Sequence, residues 1–503
     1  MDLGAEINLM RPAPQHVQLR TIVWIIAVLA VIRLWVMPLW NSFWLDETLT
    51  VWAIRDGFWK IFQVVPSTPE SIAFCVVEWL TGRLAGLHEA TLRLPSLAAA
   101  IGALYIYYRL GVEFIDRSAG LSLAALYITL YEVAIEVPNA RPYSVALLAE
   151  SAALLWLLRW LRDGRLRDGI LWMTCAVVAG HFHQFFLTVL PLEAGFVLWH
   201  VYRRPCVRTW QLVVCGLTGI ALSAPAIPQL LSISRQARTL SWAPQPAFLD
   251  LFLAVTPIYV LPVVALLVLL EWFEGRRPHW VAASQPSDAV ALGSLLLLAP
   301  TAIAFVLSRF TEVHVFHARW LLPTVPGAIL LWGWLLHRID SPFIRQMSLA
   351  VGLVASIVIT GGPSPVPDYR HEDWRSAVRS LPDSGAMLVY SSFPQARRLD
   401  WLQQPERWSY LMAPVLAYRP NVQPADAFAL PFDFDPAAQE YMERLITTRI
   451  KPRDSVTILT RQSFAGPAWV PWVSDRLERL GFRPVRNSAY GRVRVDVFQR
   501  FSP

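Results

Sequence analysis

The chain has 503 residues, of which 55% are hydrophobic and 12% aromatic. That is more apolar than a soluble globular domain at about 45–50%, so a wholly soluble protein is excluded and lipid must solvate much of the chain. The net charge of +7 is spread in small basic groups between apolar stretches, which excludes a nucleic-acid-binding patch and leaves topology signals instead.

Apolar runs near 20 residues predict membrane spans at about 21–40, 94–112, 119–136, 143–160, 168–182, 184–202, 209–228, 250–270, 288–308, 320–337 and 347–361. The first follows Arg11 and Arg20, is too long for a signal-peptide core and lacks a small-residue cleavage site, so it is expected to stay as a span. Trp24, Trp40, Trp44, Trp52, Trp59, Trp172, Trp199 and Trp320 fall at the ends of apolar runs, as in an interfacial aromatic belt. Under this threading Arg117, the Arg159–Arg167 and Arg203–Arg208 clusters, Arg276 with Arg277, and Arg338 with Arg345 share one face, which the positive-inside rule makes cytoplasmic. The N-terminus is then cytoplasmic, while the long first loop 43–93 and everything after Gly361 lie outside. In that loop Thr48–Val64 and Glu70–Leu84 carry helical spacing suited to the membrane surface. Arg33, inside the first span, is costly in lipid and is expected to face protein. Cys75, Cys175, Cys206 and Cys215 show neither disulfide-frame nor zinc-ligand spacing.

From Gly362 the composition turns Pro-rich and then alternates short elements: helix 372–381, strand 386–391, helix 437–447, strand 455–460, helix 470–480 and strand 493–499, with 393–434 ambiguous. The expected fold is mainly α: a polytopic helical membrane protein of about eleven spans over 1–361, followed by a small extracytoplasmic α/β domain over 362–503.

Four constellations gather at the outer face. Asp46-Glu47, in an aromatic setting after the first span, reads either as a desolvated base or a cation-binding pair, or as a plain helix start with Asp46 capping and Glu47 in the first turn. Glu136 through Tyr143 offers Arg141 to fork onto a phosphate and Glu136 as a further carboxylate; an ordinary interfacial loop is the alternative. His181 and His183 sit at a tight turn, two residues apart and so poorly placed to share a helical face. His314, His317 and Arg319 enter the tenth span, Arg319 as anion ligand or snorkelling anchor.

Together Trp44-Leu45-Asp46-Glu47, Leu92-Arg93-Leu94-Pro95-Ser96, Glu136 through Tyr143, His181-Phe182-His183 and Arg319-Trp320-Leu321-Leu322-Pro323 resemble motifs of the C-type glycosyltransferases. The resembling branch holds protein O-mannosyltransferases, lipid A aminoarabinose transferases and rhizobial lipopolysaccharide-core transferases. The likeness runs to about residue 337, and Asp373-Trp374-Arg375 repeats a motif found after the last span in bacterial members. The resemblance implies an inner-membrane enzyme that moves a sugar from a polyprenyl-phosphate donor to a lipid, glycan or protein hydroxyl, inverting, outside the cytoplasm. Asp46 would be the general base with Glu47 beside it, and Arg141, Tyr143, Arg319 and His183 would bind the donor phosphate. Glu136, His181, Glu70 and His317 are further site candidates, and a divalent cation, Mg or Mn, would fall to Asp46, Glu47 and Glu136. One departure stands out: where members of the branch carry His-Pro-Pro or Lys-Pro-Pro, this chain reads Ser67-Thr68-Pro69-Glu70. Two other readings compete: a flippase for a lipid-linked sugar, which would set its polar groups near mid-bilayer, and a noncatalytic assembly scaffold.

Overall fold

A computed structural model of the chain describes residues 14–204, 206–235, 243–275 and 288–501. Arg11, Arg276 and Arg277 lie outside the described residues. Among the described residues seven helices are long and apolar enough to cross a membrane: Gln18–Trp40, Glu89–Phe114, Tyr143–Asp163, Gln184–Arg203, Thr209–Ser232, Asp288–Phe310 and Pro342–Thr360.

The other four expected spans are helical but shorter or broken. The 119–136 run divides at Leu130 into Ala119–Thr129 and Tyr131–Glu136, and 168–182 forms Leu166–Phe182. The 250–270 run divides into Phe248–Val255 and Leu261–Phe273. Its break is local chemistry: Thr256 precedes Pro257 and is pushed to φ −111°, ψ 130°, outside the helical region. The 320–337 run becomes two single turns and the Val325–His337 helix. Pro95 and Pro300 stay inside helices, as membrane bundles allow.

Small residues let the helices approach. A Cβ on Gly327 would lie 2.7 Å from the Gly293 carbonyl, and one on Gly111 2.7 Å from that of Ala119. The helix ends are closed by arginines reaching from elsewhere in the chain. Arg33 Nη2 donates to the carbonyls of Gly361 and Gly362, both at 3.2 Å, so it faces protein at the end of the last span. Arg93 Nη1 serves the first span likewise, donating to Pro38, Leu39 and Asn41 at 3.0, 2.9 and 2.7 Å.

The first loop forms Leu45–Ile54, Phe58–Val64 and Ile72–Ala85. Gly57, at φ 112°, breaks the first expected loop helix in two, and Ser71 caps the third by accepting the Phe74 N–H at 3.1 Å.

The C-terminal portion holds a five-stranded sheet: β1 Ala386–Tyr390, β2 Ala427–Ala429, β3 Ser455–Arg461, β4 Phe482–Tyr490 and β5 Val493–Arg500, in the order β2-β1-β3-β5-β4. The first three strands are mutually parallel, and β5 runs antiparallel to both of its neighbours, β3 and β4. Helices Trp374–Arg379, Pro436–Leu445 and Gly466–Arg479 match the expected ones, whereas β2 and β4 were not expected. The ambiguous segment supplies Pro405–Leu411 and Ala413–Leu416, which pack on the first loop. Trp52 meets the Tyr410 ring edge-on at 5.3 Å, and one apolar cluster runs from Phe43, Trp44 and Leu49 to Trp374, Met412 and Val495.

Candidate active site

The site is built on the start of the Leu45–Ile54 helix. Trp44, not Asp46, is the residue before its first turn. Glu47 closes that turn, its Oε2 accepting the Trp44 N–H at 3.0 Å. Its carboxylate is fully buried and accepts from Arg93 Nε and Nη2 at 2.7 and 2.5 Å and from the Ala140 N–H at 2.6 Å. Four donors thus saturate Glu47. That corrects both the expected catalytic role and the metal role for Glu47: it joins three chain segments and has no lone pair to offer a proton or an ion.

Asp46 turns the other way. Its carboxylate meets Arg319 Nη1 at 2.5 Å, and its backbone carbonyl accepts from Arg141 Nη1 at 3.1 Å. Burial works to raise its pKa, but the Arg319, Arg141 and Arg370 guanidiniums prevail and hold it below the ordinary carboxylate range. The alternative in which Asp46 caps the helix is not the one found.

Arg141 is aimed by its own backbone. The Ala140 carbonyl accepts from Thr50 Oγ1 and the Arg141 carbonyl from Ser96 Oγ, each at 3.0 Å. The guanidinium so directed pairs with Glu70 and lies 5.9 Å from the Tyr143 ring centre. Burial lifts the Glu70 carboxyl above its ordinary range against the pull of Arg141. Glu136 accepts from Asn139 Nδ2 at 2.9 Å and sits 2.8 Å from Nη2 of Arg370. The two cations Arg319 and Arg370 both lie over the Trp44 ring, at 5.3 and 4.1 Å from its centre.

Two of the histidines are held below the ordinary imidazole range. Burial, with Arg141 and Arg319 adding to it, pushes His183 down to about 3, and burial with Arg319 pushes His317 down to about 4. The His183 ring lies tilted against the Tyr143 ring, their centres 5.1 Å apart. His181 is turned to the Leu222 carbonyl at 2.9 Å, in the last turn of the Thr209–Ser223 helix, and His314 to that of Ala243 at 2.7 Å.

The geometry therefore brings Asp46, Glu70, Glu136, Arg141, Tyr143, His183, His317 and Arg319 into one neighbourhood. It adds Arg370, which no motif singled out; its one sequence signal is its place three residues before Asp373-Trp374-Arg375. The carboxylates do not fit a divalent ion. Asp46, Glu70 and Glu136 each face an arginine, Glu47 is saturated, and among the described residues no three His, Cys, Asp or Glu groups converge. Among the described residues, the buried polar atoms of this neighbourhood without a hydrogen-bond partner include Arg141 Nε, Glu70 Oε1, His183 Nδ1 and Arg370 Nε. Such orphans mark a place a polar ligand would fill. Beside His317 opens a cleft of about 280 Å³ with Leu130, Leu253 and Leu322 on its walls and Glu132, Asp250 and His317 among its polar groups.

Neither a family model nor a curated protein matches the chain. Solved structures do. ArnT from Cupriavidus metallidurans bound to undecaprenyl phosphate aligns over 94% of this chain and 97% of its own, at 10% identity and a TM-score of 0.54. The same protein in the apo state aligns over 95% and 98%, at 10% identity and a TM-score of 0.43. The archaeal oligosaccharyltransferase AglB from Archaeoglobus fulgidus, in complex with an inhibitory peptide and a dolichol-phosphate, aligns over 88% of this chain and 69% of its own, at 11% identity and 0.47. The fold of this multi-pass, mainly helical chain with its small C-terminal sheet is thus similar to that of ArnT, as the motif resemblance implies.

Proposed function

We propose that the protein is a membrane glycosyltransferase that moves a sugar from a polyprenyl-phosphate donor to an acceptor hydroxyl, with Asp46 as general base. The observation that carries the reading is the set of three carboxylates paired with three guanidiniums, in which Asp46 alone is open: its side chain is 21% exposed, against 3% for both Glu70 and Glu136. A fold neighbour solved with undecaprenyl phosphate supports the donor class.

In the reaction the acceptor O–H gives its proton to an Asp46 oxygen as the oxygen bonds to the anomeric carbon. The bond from that carbon to the phosphate oxygen breaks on the opposite face, which inverts the centre and releases polyprenyl phosphate. The leaving group gains a negative charge there, and Arg141 and Arg319 are placed to stabilise it. Arg319 has a second part: paired with Asp46 before the donor arrives, it keeps the carboxylate a weak base. A phosphate that draws Arg319 away would leave Asp46 more basic, so donor binding arms the site. The leucine-lined wall of the cleft beside His317 suits the isoprenoid chain.

The bundle's opposite end carries Arg117, Arg159, Arg162, Arg165, Arg167, Arg203, Arg204, Arg208, Arg338 and Arg345. That asymmetry supports an inner-membrane protein with Asp46 and residues 362–503, taken as an extramembrane domain, outside the cytoplasm.

The test is release of polyprenyl phosphate from polyprenyl-phosphate sugars by purified protein, wild type against Asp46→Asn. Release by the wild type and its loss in the variant are expected. Equal release by both would remove Asp46 as the base, and none from either, across donors and acceptors, would sink the enzyme reading.

A further inference from the structure

The segment that follows the last span enters the site in a way the reading above does not use. His371, at φ 54°, holds a left-handed conformation that a bulky residue seldom adopts. The turn lets its two neighbours reach separate parts of the same site. Glu372 is buried, and each of its oxygens is engaged. Oε2 accepts the Leu45 N–H and Trp374 Nε1, both at 3.0 Å, and Oε1 accepts from Arg461 Nε at 2.7 Å. Leu45 opens the helix that bears Asp46, so a carboxylate from the C-terminal portion sits at the positive end of that helix. The same stretch is tied to the membrane part by Tyr369 to the Leu34 carbonyl at 2.9 Å and by the Arg375 N–H to Ser42 Oγ at 3.0 Å.

Arg370 is therefore held in place from both sides. Its guanidinium lies flat enough over Trp44 to come within 4.1 Å of the ring centre, and Nη2 is 2.8 Å from Glu136 Oε1. Nη2 is thus engaged by a carboxylate, while Nε is buried and has no acceptor. A guanidinium with a dehydrated, unused Nε beside an Nη2 that a stronger anion can take from Glu136 is a fork suited to a planar or tetrahedral oxyanion. Arg319 also lies over Trp44, 5.3 Å from its ring centre, and in turn reaches Asp46.

We propose that Arg370 is a ligand of the lipid-linked donor's phosphate, supplied to the membrane site by the C-terminal portion and kept there by Glu372. The proposal rests on the glycosyltransferase reading. It makes residues 362–501 part of the donor site instead of an appendage to it. Glu136 is the competitor for Arg370 in the absence of donor, as Asp46 is for Arg319.

The test is equilibrium binding of undecaprenyl phosphate, with undecaprenol as the phosphate-free control, to the purified full-length chain in lipid nanodiscs. Wild type is expected to prefer the phosphate. Arg370→Gln should weaken phosphate binding by about 10- to 100-fold, the worth of a hydrogen bond between charged groups, and leave undecaprenol binding unchanged. Arg370→Lys should recover part of the loss. Glu136→Gln should bind the phosphate more tightly than wild type, since it releases Arg370, whereas a merely structural ion pair would give no gain. Wild-type affinity in Arg370→Gln, beside a loss in Arg141→Gln, would overturn the role of Arg370 and leave the glycosyltransferase reading standing. A wild type that does not discriminate phosphate from alcohol would overturn both. Should Arg370→Gln not fold, the Glu136→Gln comparison decides.

Discussion

Asp46 and Glu47 are adjacent and chemically alike, yet the fold gives them opposite tasks. Glu47 is sealed and bonded on every side, while Asp46 faces a guanidinium, a partner that a phosphate can claim. The pH dependence follows. A base must be ionised, so kcat/KM falls as pH drops through the Asp46 pKa, and the arginines place that acid limb below the ordinary carboxylate range. Removing a cation favours the neutral acid, so Arg319→Gln should move the limb to higher pH while lowering kcat/KM by about 10²-fold, as loss of one transition-state donor does. A pH profile of the residual activity checks this; an unmoved limb would mean that Asp46 is not the group titrating. The Asp46-Glu47 pair was legible in the sequence. Their division of labour was not, because it depends on Arg93 and Ala140, 46 and 93 residues away along the chain from Glu47.

The helices were read from apolar runs with good fidelity because lipid forces each span to satisfy its own backbone. Errors fell where that rule relaxes. Gly57 and Thr256 broke runs that composition alone joins, and the edge strand β4 escaped notice. Its residues, with Pro484 and two arginines, are exposed on both faces over most of its length, so no alternation marks it. Helix contacts yield a measurable outcome. Gly327→Ala would drive a methyl to 2.7 Å from the Gly293 carbonyl and 2.8 Å from the Leu297 N, backbone that cannot step aside. It should destabilise the bundle by about 1–3 kcal/mol, the usual cost of overpacking. Gly195→Ala meets nothing within 4 Å and should be neutral or stabilising by up to about 1 kcal/mol through helix propensity. Thermal melts of the two variants in one detergent would compare them directly, and equal melting points would argue against close packing of these helices.

At the scale of the whole molecule the first loop is the joint. It carries Asp46, receives Arg93 from one span and Arg141 from the turn before another, and shares an apolar cluster with the C-terminal portion. Glu372→Ala removes the acceptor at the Leu45 N–H, a loss of about 1 kcal/mol of capping. Amides of the Leu45–Ile54 helix should then exchange with solvent about fivefold faster, with the Trp374–Arg379 helix following. Hydrogen exchange read by mass spectrometry tests it; faster exchange confined to the sheet would show that the two parts are not joined through Glu372. By itself the sequence determined the membrane class, the runs that become helices, the α/β character of the tail and most of the charged groups near Asp46. Those are local properties, set by hydropathy, by period and by residue type. Only the tertiary structure decided which carboxylate is open, that burial lowers the pKa of two histidines, and that Arg370 and Glu372 reach the site. Burial and ion pairing between residues hundreds of positions apart set those outcomes, and no local pattern encodes them.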